Sequence, residues 1–263
     1  MNSISTQNLK IGYQDTIIVP KLDITLEKGK ITSIIGPNGC GKSTVLKAIS
    51  RLLKPKSGTV LINDTDMKTM PTKEIAKLLA ILPQTPVAPS GLTCEELVAY
   101  GRFPYQKGFG KLSPQDKEII NWAMQATRLT EFANREIGSL SGGQRQKVWI
   151  AMALAQQTGT ILLDEPTTYL DLAHQLEVLD LLVDLNVKHN CTIVMVLHDL
   201  NLASRFSNYL LAMKSGHVVK YGTPEEVMTN EILKECFNID ATIMLEKSTG
   251  KYTCVTYNLL DRE

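Results

Sequence analysis

The most constraining feature of the sequence is a glycine-rich segment that lies between a short apolar run and a helix-like run. Ile31–Ile35 is apolar and rich in β-branched residues, which predicts a buried strand. Residues 36–44 then fit the spacing G-x-x-x-x-G-K-[ST], and residues 46–53 are predicted to form a helix. Glycines allow backbone N–H groups to surround phosphate oxygens, and a helix N-terminus adds a favourable dipole. The sequence therefore predicts a phosphate-binding loop between a strand and a helix.

Nine residues form this predicted loop, and two of them carry side-chain chemistry. The ammonium of Lys42 is placed to reach the β- and γ-phosphates of a nucleotide, and the hydroxyl of Ser43 is placed to bind Mg²⁺. The members of the loop are Gly36, Pro37, Asn38, Gly39, Cys40, Gly41, Lys42, Ser43 and Thr44.

Two carboxylates follow a second apolar strand. Residues 161–163 are Ile, Leu and Leu, and Asp164 and Glu165 come directly after them. A buried strand can deliver Asp164 to the Mg²⁺ shell, and Glu165 is placed to polarise a water for attack on the γ-phosphate. Alone, such a pair is more often a solvated strand end. Downstream of a phosphate-binding loop, the catalytic interpretation is favoured.

A second anion site is predicted 99 residues after Lys42. Two glycines and a serine precede a predicted helix over residues 144–157, and a helix N-terminus of this kind attracts anions. A flexible turn with a helix cap is the plainer interpretation. The members of this segment are Ser141, Gly142, Gly143 and Gln144.

Three single residues have both a functional and a plain interpretation. His198 follows an apolar run at residues 192–197, where it fits a γ-phosphate contact but is also typical of a structural histidine. Gln84 lies in a turn between two prolines, which is an ordinary loop composition. Tyr13 could stack on a base, although aromatic residues are common in strands for packing reasons.

The rest of the chain alternates between strand and helix patterns. Thr160–Leu163 and residues 192–197 each follow a helical segment, which indicates a parallel sheet with helices on its faces. The beginning of the chain instead predicts short antiparallel strands. These are expected at residues 5–11, 16–19 and 22–26, with residues 59–62 as a further partner.

Capping residues mark the predicted helices. Residues 92–157 are expected to be mainly helical, with Thr93 and Ser113 as N-caps and Pro114 at a first helical position. Thr223 repeats this cap pattern near the C-terminus. The tail, residues 242–257, predicts two strands around a turn.

Composition excludes several classes of protein. The chain has 263 residues with 28 basic and 27 acidic side chains, which argues against attachment to nucleic acid by bulk charge. Its five cysteines include no Cys-x-x-Cys pair, so neither a zinc site nor a disulfide framework is predicted, and we expect reduced cytosolic thiols. We see no signal-peptide pattern and no apolar run near the about 20 residues that cross a bilayer.

Taken in order, these motifs resemble those of the ABC-type ATPases, the nucleotide-binding subunits of ABC transporters, over about residues 3–240. The resemblance implies that residues 36–44 are the Walker A loop, that residues 161–165 are the Walker B strand, and that residues 140–144 are the signature. It also assigns single residues: Gln84 to the Q-loop, Asp171 to the D-loop, His198 as the switch histidine and Tyr13 as the adenine-stacking aromatic.

The resemblance also implies ligands and roles. The ligands are ATP and Mg²⁺, with Ser43, Gln84 and Asp164 around the metal. Glu165 is the general base, and His198 holds the γ-phosphate. The family acts as a dimer in which each ATP lies between one subunit's Walker A loop and the other subunit's signature. This explains why one chain carries two anion sites.

The implied fold is an α/β P-loop NTPase with a mixed, mostly parallel core sheet, an N-terminal antiparallel β subdomain and a helical signature subdomain. Within a single ABC ATPase domain over residues 1–263, the core and β subdomain would take about residues 1–90 and 158–240. The helical subdomain would take about residues 91–157, and a C-terminal β extension about residues 241–263.

A narrower resemblance points to cargo. Cys40, the segment Gly101-Arg102-Phe103-Pro104-Tyr105 and residues 164–171 are similar to iron–siderophore import ATPases. Residues 97–110 and 144–157 are especially similar to the hydroxamate-siderophore import ATPases of Gram-positive bacteria. Most ABC ATPases have Ser-Ala where this chain has Thr168-Tyr169, a departure shared by importers of siderophores, haem and cobalamin.

These resemblances imply a homodimer on the cytoplasmic face of a bacterial membrane, bound peripherally to two integral-membrane permease subunits. A siderophore-binding lipoprotein would be an indirect partner, and nucleic acid would not be one. Several alternatives stay open: a haem or cobalamin importer, a soluble ABC protein of translation or DNA repair, a P-loop kinase or GTPase, and a nucleotide-binding regulator without turnover. The signature and His198 argue against a kinase or GTPase, and Glu165 argues against a regulator.

Overall fold

The computed structural model describes residues 4–106 and 111–260 of the chain. Its strands are Ile4–Tyr13 (β1), Thr16–Leu22 (β2), Thr25–Leu26 (β3), Ile31–Ile35 (β4), Ser57–Ile62 (β5), Thr65–Asp66 (β6), Leu79–Leu82 (β7), Thr160–Leu163 (β8), Thr192–Val196 (β9), Tyr209–Lys214 (β10), His217–Gly222 (β11), Ile239–Glu246 (β12) and Lys251–Leu259 (β13). Its α-helices are Lys42–Ile49 (α1), Thr72–Leu78 (α2), Cys94–Ala99 (α3), Pro114–Ala126 (α4), Gly142–Ala155 (α5), Leu172–His189 (α6), Leu200–Phe206 (α7), Pro224–Val227 (α8) and Asn230–Phe237 (α9).

The chain divides into two compact units. The first unit contains residues 1–69 and 192–263, and the second contains residues 70–191. The functional subdomain boundaries expected from the resemblance stay a prediction. Among the described residues, none of the helices combines the length and the hydropathy that crossing a membrane requires.

In the first unit, β1 organises an antiparallel sheet. It pairs with β2, β3 and β5, and β5 pairs with β6. The predicted antiparallel strands at the start of the chain are therefore confirmed, except that the strand predicted over residues 22–26 is Thr25–Leu26, and Leu22 is instead the last residue of β2. Just before β3, side chains replace part of the regular ladder: the Ile24 carbonyl accepts from the Thr6 N–H, but the Ile24 N–H donates to the Thr6 hydroxyl, and the Asp23 carboxylate accepts from the Asn8 N–H.

The first unit also contains the parallel strands that carry the predicted loop. β4 pairs in parallel with β9 on one side and with β10 on the other, and β11 joins β10 antiparallel. Every residue of β4 and β9 is buried. Strands buried on both faces form largely apolar runs, and these two are predictable from the sequence because the polar residues within them are only serine and threonine. Of the predicted run 192–197, the strand takes Thr192–Val196.

Helix α1 begins earlier than the sequence predicts. The prediction was residues 46–53, whereas α1 is Lys42–Ile49. Gly41, with φ of +107°, turns the chain directly from the loop into the first helical residue. Arg51, with φ of +63°, lies just after the helix end. Residues 42–44 therefore belong both to the predicted loop and to the first turn of α1.

The second unit is mainly helical, as predicted, around one pair of parallel strands, β7 and β8. Capping boxes begin α3 at Thr93, α4 at Ser113 and α5 at Ser141, and in the first unit Thr223 begins α8 in the same way. The helix predicted over 144–157 is Gly142–Ala155, two residues earlier at each end. Residues 107–110 of the segment used for the narrower resemblance lie outside the described residues.

A β-hairpin of β12 and β13 ends the first unit, and confirms the two strands predicted in the tail. Helix α7 covers part of its β13 edge with side chains. The Asn201 amide donates to the Cys254 carbonyl (3.1 Å) and accepts from the Cys254 N–H (2.8 Å). The Ser204 hydroxyl donates to the Tyr252 carbonyl (2.6 Å). One side-chain amide thus satisfies both polar groups of a strand residue.

A buried ion pair ties together the helices of the second unit. Arg102 Nε lies 2.7 Å from Asp116 Oδ1, and its Nη1 donates to the Ala155 carbonyl at 2.7 Å. The guanidinium also lies 4.1 Å from the centroid of the Tyr105 ring. Burial by itself raises the pKa of Asp116, but hydrogen bonds from Ser113 and Arg102 outweigh this, so the pKa lies below its ordinary value. The carboxylate therefore stays charged at neutral pH.

We expect Arg102→Met to lower the free energy of unfolding by about 3 kcal/mol, because Asp116 would be left as a buried charge without its partner. Urea denaturation at pH 7 measures this. Since the pKa of Asp116 is lowered in the folded state, its contribution is present above an unfolded pKa of about 3.9 and disappears as the pH falls through the folded value. The difference between wild type and variant should shrink accordingly in acid.

Lys188→Met is the matched control, since Lys188 makes an exposed pair with Asp184 (64% and 58% exposed side chains). We expect it to change stability by less than about 0.5 kcal/mol. Equal losses of unfolding free energy in the two variants would show that the buried pair of Arg102 and Asp116 stabilises the fold no more than an exposed pair does.

Candidate functional site

The glycines of the predicted phosphate loop are required by its backbone. Gly36 has φ of +152°, and a Cβ there would lie 2.2 Å from the Met213 carbonyl oxygen. Gly39 and Gly41 have φ of +78° and +107°, in the region that favours glycine. The Gly216 N–H donates to the Cys40 carbonyl (2.9 Å) and fixes the loop to the turn between β10 and β11. The loop is therefore a close-fitting backbone structure.

The side chain of Lys42 turns back over the loop. Its Nζ donates to the carbonyls of Gly36 (2.8 Å) and Pro37 (3.0 Å), and the residue is only 5% exposed. A buried ammonium needs such acceptors to offset its lost hydration. The structure thus holds a positive charge against the loop, where a phosphate would bind.

Cys40 is an inert packing residue of the loop. It is buried, and burial raises the pKa of its thiol despite the positive charge of Lys42 nearby. Its sulfur would lie 2.7 Å from a Cβ at position 36. A thiol in this state is a poor nucleophile, and the contact with position 36 indicates a space-filling role.

His198 emerges at the same sheet edge as the loop. Ile34 of β4 is in register with Val196 of β9, and the Leu197 N–H donates to the Ile34 carbonyl at 3.2 Å. The loop begins two residues after Ile34, and His198 lies two residues after Val196. Because parallel strands end at one edge, the structure places the exposed His198 beside the start of the phosphate loop.

Tyr13 is the last residue of β1 and is 44% exposed. An exposed ring at a strand end is available for stacking, but no described contact assigns it to a base. Its role as the adenine-stacking residue stays a prediction.

In the second unit, the polar residues also follow the ends of paired strands. Leu82 of β7 is in register with Leu163 of β8, and the Asp164 N–H donates to the Leu82 carbonyl (2.9 Å). Gln84 follows β7 by two residues, and Asp164 follows β8 directly. Asp164 is 4% exposed. The strand pairing therefore brings Gln84 and the two carboxylates to one edge.

Glu165 is held in a defined position by two donors. Gln84 Nε2 donates to its Oε2 at 2.6 Å, and the Thr168 hydroxyl donates to the same oxygen at 2.9 Å. Its φ of +54° lies in the left-handed region, which is costly for a residue other than glycine. Strain of this kind persists where surrounding bonds enforce it, so the carboxylate is positioned rather than simply solvated.

Thr168 is a site residue that was not predicted from the sequence, where it contributes only to the narrower resemblance. Its contact with Glu165 follows from a tight turn, in which the Thr168 N–H donates to the Glu165 carbonyl at 3.3 Å. The sequence signal for this contact is the spacing, since the hydroxyl of Thr168 comes three residues after the carboxylate of Glu165. The neighbouring Tyr169 is 89% exposed and makes no comparable contribution to the site.

The predicted second anion site is the N-terminus of α5. Ser141 is the N-cap, its hydroxyl accepts from the Gln144 N–H (3.3 Å), and Gln144 Oε1 accepts from the Ser141 N–H (3.0 Å). Ser141, Gly142 and Gln144 are accessible, whereas Gly143 is buried. The exposed amide end of a 14-residue helix favours an anion.

Asp171 is the N-cap of α6, and accepts from the His174 N–H at 2.9 Å. This hydrogen bond, together with one from the His174 ring, lowers the pKa of Asp171. The predicted D-loop aspartate is therefore ionised and oriented at neutral pH.

The residues expected around a metal suit Mg²⁺ by their chemistry. Ser43, Gln84 and Asp164 offer hydroxyl, amide and carboxylate oxygens, which are the hard donors that Mg²⁺ prefers. Within residues 4–106 and 111–260, there is no cluster of three or more His, Cys, Asp or Glu side chains suited to a metal. Ser43 in the first unit, and Gln84 and Asp164 in the second, each offer the kind of oxygen donor found where few protein groups and nucleotide phosphates share a Mg²⁺ ion.

Comparisons with known proteins agree with this geometry. Residues 19–168 match the family model described as "ABC transporter". The chain is 59% identical, over its whole length and 98% of the relative, to the iron(3+)-hydroxamate import ATP-binding protein FhuC of Bacillus subtilis. It is 48% identical, over 97% of the chain and 93% of the relative, to the petrobactin import ATP-binding protein FpuD of Bacillus anthracis.

Solved structures give the same result. A metal-chelate type ABC transporter in an inward-facing conformation superposes with a TM-score of 0.83 and 32% identity, covering 97% of this chain and 96% of that one. A dimeric bacterial ABC transporter cassette superposes with a TM-score of 0.73 and 32% identity, covering 84% and 98%. The predicted fold class is confirmed. The chain therefore belongs to the ABC transporter family, as an ATPase of the ATP-binding cassette type.

Proposed function

We propose that this chain is the ATP-hydrolysing subunit of a bacterial importer that takes up iron(III) bound to hydroxamate siderophores. The observation that carries the ATPase part is the fixed Glu165 carboxylate at the end of β8. The cargo rests on the 59% identity over the full chain to a hydroxamate import ATP-binding protein. The narrower resemblance in the sequence supports the same cargo.

The first unit supplies the groups that bind phosphate. The loop amides and the N-terminus of α1 surround the phosphates of ATP, and Lys42 transfers its hydrogen bonds from loop carbonyls to phosphate oxygens. His198 donates to a γ-phosphate oxygen from the adjacent strand end. The glycines hold the loop backbone in place before phosphate binds, and Lys42 is the group that exchanges its hydrogen-bond partners.

The second unit supplies the base. Gln84 and Thr168 fix one oxygen of Glu165, and the carboxylate takes a proton from the attacking water. Gln84 and Asp164 of this unit would offer oxygen ligands to Mg²⁺, as Ser43 would in the first unit, and the ion would supply charge neutralisation at the β- and γ-phosphates. The reaction then depends on positioning and electrostatics around a loose transition state.

We further propose that the protein works as a homodimer in which the N-terminus of α5 binds the ATP of the partner subunit. A dimeric relative with a TM-score of 0.73 supports this arrangement. Closure of the dimer on ATP and its reopening after hydrolysis would provide the mechanical step of transport.

Two permease subunits in the membrane are the expected partners of the second unit. Tyr100 and Phe103 pack edge to face at 6.0 Å, yet both are exposed (43% and 65%), and Val87 near Gln84 is 83% exposed. Exposed aromatic residues of this kind are typical of protein interfaces. The chain would therefore be held peripherally at the cytoplasmic face, with a siderophore-binding lipoprotein acting through the permease.

The sharpest test is Glu165→Gln. The amide keeps the size of the side chain and one acceptor oxygen for Gln84 or Thr168, but it cannot take a proton. We expect ATP hydrolysis to fall by about 10²–10⁴, while ATP still closes the dimer. Phosphate release and size-exclusion chromatography with ATP and Mg²⁺ measure the two effects.

Glu74→Gln, at an exposed helix pair with Lys77, is the control and should behave as wild type. Lys42→Ala should show neither turnover nor dimer, because the phosphates lose their cation. Hydrolysis at the wild-type rate in Glu165→Gln would refute its role as the base.

Ser141→Arg tests the second anion site. A bulky side chain at the N-cap of α5 would fill the space that the γ-phosphate of the partner's ATP needs. We expect nearly unchanged nucleotide binding by the monomer, with loss of ATP-driven dimers and of turnover. Ser139→Arg places the same side chain two residues earlier, outside the cap, and should retain dimer formation. Wild-type turnover in Ser141→Arg would remove this assignment.

Cargo is tested by transport. A strain lacking the gene should lose uptake of radiolabelled iron(III) hydroxamate, and the wild-type gene should restore it while the Lys42→Ala gene should not. Normal uptake in the deletion strain would refute the cargo proposal and favour haem or cobalamin, which the same strain can be tested for.

A further inference from the structure

His174 lies between two segments of the second unit, of which the dimer proposal places the first against the partner's ATP. One is the signature segment, residues 141–144, and the other is Asp171. We infer that His174 is a positioning residue that fixes these segments relative to each other, so that a subunit presents them to its partner's ATP as one surface. This inference rests on the proposed dimeric function, and all of its contacts lie within the second unit.

The first contact joins His174 to Asp171. His174 Nδ1 and Asp171 Oδ1 are 2.8 Å apart, and the same oxygen accepts the His174 N–H at 2.9 Å. A carboxylate only accepts hydrogen bonds, so Nδ1 carries the proton and donates. With both bonds on one oxygen, the ring of His174 is fixed on the first turn of α6.

The second contact joins the same ring to the signature segment. A Cβ at Gly143 would lie 2.5 Å from His174 Cδ2 and 2.9 Å from its Cγ. Glycine is therefore the residue that lets the ring approach this closely. Gly143 is buried although its neighbours in the segment are accessible, because His174 covers it.

Two further contacts join the helices around this point. Lys147 Nζ on α5 and Glu177 Oε2 on α6 are 2.6 Å apart, one turn beyond Gly143 and His174. A Cβ at Gly142 would lie 3.6 Å from Leu170, just before Asp171. Several contacts along the chain thus hold the N-termini of α5 and α6 together. Among the residues that make them, His174 contacts both the signature segment and Asp171.

This arrangement predicts how the two segments behave. In the proposed dimer, the signature segment binds the partner's nucleotide rather than that of its own subunit, so loosening His174 should weaken closure without changing ATP binding by the monomer. A residue that served only overall stability would affect both. The distinction gives the inference a specific test.

Two substitutions separate the contacts of His174. His174→Phe keeps a ring against Gly143 but loses the donor to Asp171. His174→Asn keeps a donor near the position of Nδ1 but loses the ring. Both are made in the Glu165→Gln background, where ATP is expected to trap the dimer. His217→Asn, at an exposed histidine in the first unit, is the matched control.

We expect each His174 variant to need at least about tenfold more ATP for half-maximal dimer formation, which corresponds to about 1.4 kcal/mol. Nucleotide affinity, measured at protein concentrations that keep the chain monomeric, should stay within about twofold of the parent. His217→Asn should match the parent in both. Dimer formation by both His174 variants at the parent's ATP concentration would overturn the inference.

Hydrogen exchange on the monomer provides a readout that needs no dimer. The amides of residues 142–144 should exchange faster in both His174 variants, while those of β7 and β8 should not change. If the parent itself fails to dimerise with ATP, the dimer proposal falls, and exchange alone decides the positioning role. Unchanged exchange at residues 142–144 would overturn that role whatever the dimer does.

Discussion

The burial of parallel strands on both faces is the constraint on which both parts of the candidate site depend. Every residue of β4, β8 and β9 is buried, and the polar side chains within them are uncharged serine and threonine, so the charged side chains of the site come only after the strands end. Pairing then aligns the ends: Ile34 with Val196 in the first unit, and Leu82 with Leu163 in the second. The phosphate loop and the carboxylates are accordingly products of strand register.

Backbone conformation, rather than side-chain chemistry, sets the geometry beyond those ends. In the loop, the Lys42 ammonium donates to the carbonyl oxygens of Gly36 and Pro37, and the positions of these oxygens follow from glycines with positive φ. At Glu165, a left-handed residue turns the chain sharply after Asp164. The glycines adopt their conformation without strain, whereas the cost at Glu165 is offset by hydrogen bonds from Gln84 and Thr168, which is how strained residues persist at functional sites.

Local patterns made much of this structure predictable. The strand Ile31–Ile35 and the strand Thr160–Leu163 have the predicted bounds, because short, largely apolar or β-branched runs that end abruptly at Gly36 and at Asp164 leave little choice. Capping boxes at Thr93 and Ser113 begin helices as expected. For helix α1 the sequence predicts a start four residues too late, because a helix that begins inside a glycine-rich loop has no apolar periodicity in its first turn.

Contacts between distant segments could not be predicted in the same way. The bond from Gln84 to Glu165 spans 81 residues and depends on β7 lying beside β8. The approach of His174 to Gly143 depends on how α5 packs on α6, which no local pattern encodes. The sequence indicated these residues one at a time, and the packing determines which of them meet.

The hydrogen bonds of the Asn201 amide affect how readily free copies of the chain associate through the exposed edge of β13. Val255, Tyr257 and Leu259 give the hairpin an exposed apolar character (58%, 65% and 81% exposed), and a strand edge of this kind readily templates another strand. Asn201 and Ser204 take up backbone groups of residues 252–254 that such a strand would need. A helix side chain thereby closes this stretch of edge, so a newly made subunit is less prone to aggregate before it reaches its partners.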